Sequence, residues 1–202
     1  MYKKIQNFPV SDSTNNDAFE AIVELYFQLE GYITSSGKWF WVWEEGKQQR
    51  GYQDIDVLAV GESKTIIVSV TSNLDDKIRL DRSGNVKPEM LRNLKNFFDR
   101  AEHYLGQERA YPWLIADDRV ERTIAYGGHP KMRLDDKVKD VLRLENISLL
   151  SAKDMIESIL EYLDENKNLK IQSQILRTIQ TFKYWGLFQS RDRNENDKDG
   201  TV

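Results

Sequence analysis

Apolar residues along this chain change their spacing several times, and each change marks a predicted element. Between residues 12 and 30, Phe19, Ile22, Val23, Tyr26, Phe27 and Leu29 recur at helical spacing behind the capping candidates Ser11, Ser13, Thr14 and Asn15, which predicts an amphipathic helix ending at Gly31. Residues 32–35 and 38–45 alternate or run apolar on either side of Ser36-Gly37, the pattern of an extended segment or hairpin. Two core strands follow, Gly51-Tyr52-Gln53-Asp54-Ile55-Asp56-Val57-Leu58-Ala59-Val60 and Thr65-Ile66-Ile67-Val68-Ser69-Val70-Thr71-Ser72, joined by the turn Gly61-Glu62-Ser63.

After a polar stretch with the turn signal Ser83-Gly84-Asn85, Pro88 sits in the first turn of a helix predicted over about 87–105, with Leu91, Leu94, Phe98, Ala101 and Leu105 as its buried stripe. A short strand over 121–126, a turn at Gly127-Gly128 and a helix near 131–143 come next. Ile147-Ser148-Leu149-Leu150 reads as the last strand, with Ser151 capping a helix from 152 to about 164. A final amphipathic helix carries Ile171, Ile175, Ile179 and Phe182 up to Gly186, and the charged tail 189–202 is expected to be disordered. This order of helix, strands, helix, strand, helix, strand and helix predicts an α/β fold with a mixed sheet flanked by helices. The expected organisation is one domain over 1–165, a C-terminal helix over 166–188 packed on that domain or at an interface, and the tail.

Composition narrows this picture only modestly. With 202 residues and 40% hydrophobic content, the chain can bury a core of its own. It has no cysteine, no apolar run of signal-peptide type at its start and no stretch near the roughly 20 apolar residues of a membrane span, so a cytoplasmic protein without membrane partners is expected. The net charge of −4 gives the chain no overall basic footprint. Nucleic-acid binding would therefore depend on a local patch.

The chemistry lies in the two adjoining strands. Side chains alternate along a strand, so Asp54, Asp56 and Leu58 are expected on one face and Ile55, Val57 and Ala59 on the other. In the second strand Ile67, Ser69 and Thr71 oppose Ile66, Val68 and Val70, and the polar residues of both strands can meet on one side. An ionised carboxylate in a core strand is costly unless it is paired, hydrogen-bonded or bound to a cation, so Asp56 calls for a cause.

An acidic residue in an early helix, then Gly51-x-x-x-Ile55-Asp56-Val57-Leu58-Ala59, a turn, and Ile66-Ile67-Val68-x-Val70-x-Ser72 resembles the PD-(D/E)XK, restriction-endonuclease-like nuclease superfamily over roughly residues 17–160. The resemblance implies a three-layer α/β/α fold with a central mixed sheet. It also implies a magnesium site in which Asp56 matches the strand aspartate, Glu20 the helix glutamate, and Ser69-Val70-Thr71 the (D/E)XK triplet. The triplet's acid and lysine are both missing. Magnesium wants oxygen ligands and is normally held by one or two carboxylates with waters and substrate phosphate, so Asp56 with Glu20 meets only the minimum. Neutral Ser69 and Thr71 remove a ligand charge and the cation beside the attacked phosphate. Asp54, Asp75 or Asp76 are candidates for a relocated carboxylate, and Lys77 or Lys95 for a relocated cation.

Plainer readings stand beside each of these. Glu20 and Glu24 fit a solvated helix face, Asp54 an exposed strand entrance paired with Arg50, and Ser69 and Thr71 ordinary strand hydroxyls. Trp39, Trp41 and Trp43 alternate on one face, as a platform for unpaired bases or as one side of a doubly covered strand. Lys77, Arg79, Arg82, Lys87, Arg92 and Lys95 are candidate phosphate contacts, diluted by Asp75, Asp76, Asp81 and Glu89. Gly127-Gly128-His129-Pro130 fits a phosphate cradle or a plain turn, and His103 and His129 read as structural or surface residues.

Three functions follow from these readings. The first is a nuclease-fold protein that binds nucleic acid, DNA above all, or a nucleoprotein partner, with metal-dependent hydrolysis lost or strongly weakened. The second is an active magnesium-dependent DNA endonuclease of defence, mobile-element or repair type with relocated ligands. The third is a protein-interaction scaffold, for which the apolar last helix offers a homodimer contact.

Overall fold

The computed structural model describes residues 18–43, 49–107, 112–115, 119–128, 136–166 and 173–188. The chain divides into two compact units, Met1–Ile159 and Leu160–Val202. The first unit is built on five strands, β1 (Ile33–Trp43), β2 (Gln49–Val60), β3 (Thr65–Thr71), β4 (Val120–Tyr126) and β5 (Ile147–Ser151), hydrogen-bonded side by side in that order. β1, β2 and β3 pair antiparallel, while β3, β4 and β5 pair parallel. The sheet is therefore mixed, as its sequence predicts.

Helices cover both faces. Between β3 and β4 lies α2 (Pro88–Gln107), and between β4 and β5 lies α3 (Asp136–Leu144). Two successive parallel crossovers in the same direction along a sheet place both helices on one face, given the right-handed rule. Accordingly Leu94, Phe98, Ala101 and Leu105 of α2 and Val138 and Leu142 of α3 share one core with Phe40, Ile55, Leu58, Ile67 and Ile124. On the other face, Val23 and Phe27 of α1 (Ala18–Leu29) and Met155 of α4 (Ala152–Glu165) pack with Val57, Ala59, Ile66, Val68 and Ala125. The result is a three-layer α/β/α arrangement.

Local signals place the helix ends. Pro88 opens α2, where its missing N–H would have had no partner in any case. Gly31 closes α1 at φ 88°, and Tyr32 N–H reaches back to the Phe27 carbonyl at 2.9 Å. Ser151 Oγ accepts the Asp154 N–H at 3.1 Å and so caps α4. In the second unit, α5 (Gln174–Tyr184) begins behind Ser173, whose hydroxyl accepts from Leu176 N–H, and Lys183 reaches Asp164 at 2.5 Å.

Of the two readings of residues 32–43, an extended segment or a hairpin, the described residues show the first: β1 is one continuous strand, and Gly37 stays within it at φ 61°, a conformation open to glycine at little cost. One expectation is corrected: strict alternation fails in β2. Ile55 packs with Leu58 beneath α2, whereas Val57 packs beneath α1, so the face changes at Asp56. Gly37 stands opposite that point, since Ser36 pairs with Val57 and Lys38 with Ile55. The helix expected from residue 12, the cap candidates before it, the first residues of the helix near 131, His129 and the 189–202 tail fall wholly or partly outside the described residues.

Candidate functional site

Asp56 sits where two strands part. The β2–β3 ladder runs from Val60↔Thr65 to Val57↔Val68 and stops. Beyond it β2 continues with β1 as far as Trp43↔Gln49, while β3 continues with β4 as far as Thr71↔Tyr126. The parting would leave the Val70 N–H without a strand partner. Asp56 Oδ2 accepts it at 2.5 Å and lies 3.4 Å from the Ser69 hydroxyl, which donates to it. The carboxylate thus stands in for the missing rung of the ladder.

Charge at this position is strained by its surroundings. Burial pushes the Asp56 carboxyl above its usual range and the neighbouring Asp54 charge adds to this, while the Val70 N–H, the Lys77 ammonium and the Ser69 hydroxyl pull it down. Burial wins. Of the two lysines expected as candidates for a relocated cation, Lys77, which follows the short 3₁₀ turn Leu74–Asp76, is the one whose charge acts on Asp56. Lys95 is not: it pairs with Glu145 at 2.6 Å.

The other expected site residues scatter. Thr71 turns into the adjoining bend, its hydroxyl donating to the Asn73 carbonyl at 2.9 Å, so it does not accompany Ser69 at Asp56. Asp54 lies on β2 opposite Trp39, near enough for its charge to act on Asp56. Glu20 lies half-buried in the first turn of α1. Among the described residues no three His, Cys, Asp or Glu side chains gather into a group able to hold a metal, so Glu20, Asp54 and Asp56 do not form the expected cage. Asp75 is 3% exposed within the 3₁₀ turn, and Asp76 pairs with Arg79 at 3.4 Å.

The donor set does not fit a resident magnesium ion. One carboxylate oxygen of Asp56 already accepts two protein donors, and Ser69 offers only a neutral hydroxyl. What the arrangement can do is hold the fork between β2 and β3 in a fixed shape.

The basic stretch is only partly available for phosphate. Arg79 donates to the Asp75 carbonyl at 2.6 Å as well as pairing with Asp76, and Lys95 is paired. Arg82 and Arg92 are exposed and Lys87 is half-buried, and none of the three has an ion pair among the described residues. Gly127-Gly128 does not form a cradle. Gly127 N–H donates to the Thr71 carbonyl, Leu74 N–H donates to the Gly128 carbonyl, and a Cβ on Gly127 would lie 2.8 Å from the Ser72 carbonyl oxygen. These glycines let the ends of β3 and β4 approach closely.

Away from the fork, an open pocket of about 1420 Å³ lies among α2, β4, α3 and β5. Its central cation is engaged, since Arg122 binds Glu102 at 2.7 Å and Asp99 at 2.8 Å. His103 is exposed on α2, the surface alternative of its two readings.

At Trp39 the tryptophan strand is less covered than a doubly packed one. Phe40 is 2% exposed, but Trp39 is 39% and Tyr52 59% exposed, with their ring centroids 4.4 Å apart. Sequence singled out Trp39 but not Tyr52. The signal was available in the hairpin register, which makes them diagonal neighbours across the ladder. The Trp41 and Trp43 side chains lie outside the described residues.

No protein-family model and no curated protein matches this chain. A solved structure, the crystal structure of the protein of unknown function AF1548, is similar over 85% of this chain and 79% of its own, with 13% sequence identity and a TM-score of 0.38. Among the described residues no helix is long and apolar enough to cross a membrane.

Proposed function

We propose that this chain is a nuclease-fold protein that binds nucleic acid, DNA above all, without cleaving it through a metal. The observation that carries the reading is the engagement of Asp56: its carboxylate closes the gap between β2 and β3 through the Val70 N–H and the Ser69 hydroxyl, and among the described residues no cage of acids surrounds it. A position that in the resembling superfamily supplies a metal ligand here supplies a hydrogen-bond acceptor. Lys77 near Asp56 and the exposed Arg82 and Arg92 offer cations to a phosphate backbone at modest affinity.

Binding of this kind weakens steeply with salt, because phosphate contacts release counterions. The test is a titration of plasmid, single-stranded DNA and RNA at low and at physiological salt, followed by incubation with magnesium or manganese. Salt-sensitive binding without cleavage is expected, and absence of binding at low salt would overturn the reading in favour of a scaffold.

A second reading, an active endonuclease, draws on one observation, the Lys77 charge acting on Asp56 where a relocated lysine would be needed. It predicts cleavage that disappears in Asp56→Ala.

A further inference from the structure

Of the eight large apolar residues exposed among the described residues, four fall within six consecutive positions at the end of α5. Tyr184 is 78% exposed, Trp185 69%, Leu187 63% and Phe182 37%. A built cap holds them there. Gly186 takes the left-handed conformation at φ 69°, its N–H reaches the Lys183 carbonyl at 3.0 Å, and the Leu187 N–H reaches the Phe182 carbonyl at 3.0 Å, so the chain folds back onto the helix. The rings of Trp185 and Phe188 each lie 6.2 Å from that of Phe182. The inner side of α5 is already engaged: Leu176 and Ile179 are buried, and Lys183 pairs with Asp164 at 2.5 Å and donates to the Leu160 carbonyl at 3.1 Å. Trp185 follows Leu176 by about two and a half helical turns and therefore stands on the outer side.

We propose that this patch pairs with the same patch of a second copy of the chain, forming a closed dimer. Size is the first argument. Three rings of about 150–250 Å² each, exposed to these fractions, leave with Leu187 about 400–600 Å² of largely apolar surface. Homodimer interfaces are about 65% apolar, so such a patch corresponds to about 600–900 Å² per copy, against the roughly 800 Å² per partner of a stable interface. Charge is the second argument. Lys183 is the only charged side chain between Phe182 and Phe188, and Asp164 neutralises it. The patch therefore offers no cation to a phosphate backbone or an anionic membrane, and pairing it with itself brings no like charges together. The flanking sequence supplies no cover: residues 189–202 contain one aliphatic residue, Val202, and residues 167–172 lead into the far end of α5, about 15 Å from Tyr184. A patch that matches itself closes at two copies, whereas one that matches a different surface grows into a chain. The pairing is independent of the nucleic-acid reading, whose residues lie outside α5.

The test is sedimentation equilibrium of the full chain from nanomolar to high-micromolar concentration, where the mass should rise from one copy to two. Trp185→Ala and Tyr184→Ala should each weaken the pairing at least about 30-fold, the loss at an interface hot spot. Leu144→Ala, which removes an equally exposed apolar residue from α3, should leave it unchanged. A second measurement does not depend on truncating the patch. The chain has no cysteine, so Leu187→Cys adds its only thiol, and oxidation by copper-phenanthroline in air should link two copies faster than it links Leu144→Cys. A native chain of single-copy mass at every concentration, a dimer that both alanine variants leave intact, or equal linking of the two cysteine variants would overturn the proposal. Each of these results leaves the nucleic-acid reading to its own titration.

Discussion

Replacing Asp56 separates its two roles, hydrogen-bond acceptor and buried charge. Asp56→Asn keeps an oxygen where Oδ2 accepts the Val70 N–H at 2.5 Å, and removes the charge. Asp56→Ala removes both. A buried N–H left without an acceptor costs about 1–3 kcal/mol, so Asp56→Ala should be less stable than Asp56→Asn by about that amount at every pH. The charge acts differently. Because burial raises the folded carboxyl above its unfolded value, the folded chain holds its proton at a pH where the unfolded chain has released it. The native chain is therefore most stable relative to Asp56→Asn below the unfolded value of about 4, loses stability as pH rises through the folded value, and is flat above it. Urea unfolding of the three proteins between pH 4 and 8, followed by circular dichroism, measures both effects. Equal stability of the asparagine and alanine variants would refute the hydrogen-bond role. A native chain that gains stability over Asp56→Asn with rising pH would refute the buried-charge role.

Two further outcomes follow from the same contacts. Lys77→Gln removes a cation that holds the Asp56 carboxyl down, so that carboxyl should titrate at a higher pH by carbon NMR, and an unchanged or lower titration would contradict the placement of Lys77. Gly127→Ala puts a Cβ 2.8 Å from the Ser72 carbonyl oxygen, a backbone atom that cannot rotate aside, and should cost about 1–3 kcal/mol in urea unfolding; an unaffected midpoint would mean that the ends of β3 and β4 have room to separate.

The strands and helices were legible because they bury faces with simple periods. Leu94, Phe98, Ala101 and Leu105 mark α2 at helical spacing, and the run from Thr65 to Val68 is buried throughout, as a central strand flanked on both sides must be. The site was legible only in outline. Asp56 stood out as a carboxylate among apolar neighbours, but its partner is a backbone N–H, which no sequence displays. The partner arises from where the β2–β3 ladder ends while β2 stays with β1, a relation between segments rather than within them. Thr71 illustrates the same limit: its spacing from Ser69 puts it on the proper side of β3, yet the bend at Asn73 claims its hydroxyl. Tyr52 escaped notice because an aromatic residue at a strand start reads equally well as buried or exposed, and only the register opposite β1 brings it to Trp39.

The most direct test of a binding protein that does not cut is the fate of bound DNA in the presence of metal. Single-stranded and plasmid DNA held by the native chain at low salt, then given magnesium or manganese, should remain intact over hours, and Asp56→Asn should bind them with the same affinity. Cleavage by the native chain that Asp56→Asn lacks would contradict the account, and would make Asp56 a catalytic ligand instead of the acceptor that closes the fork.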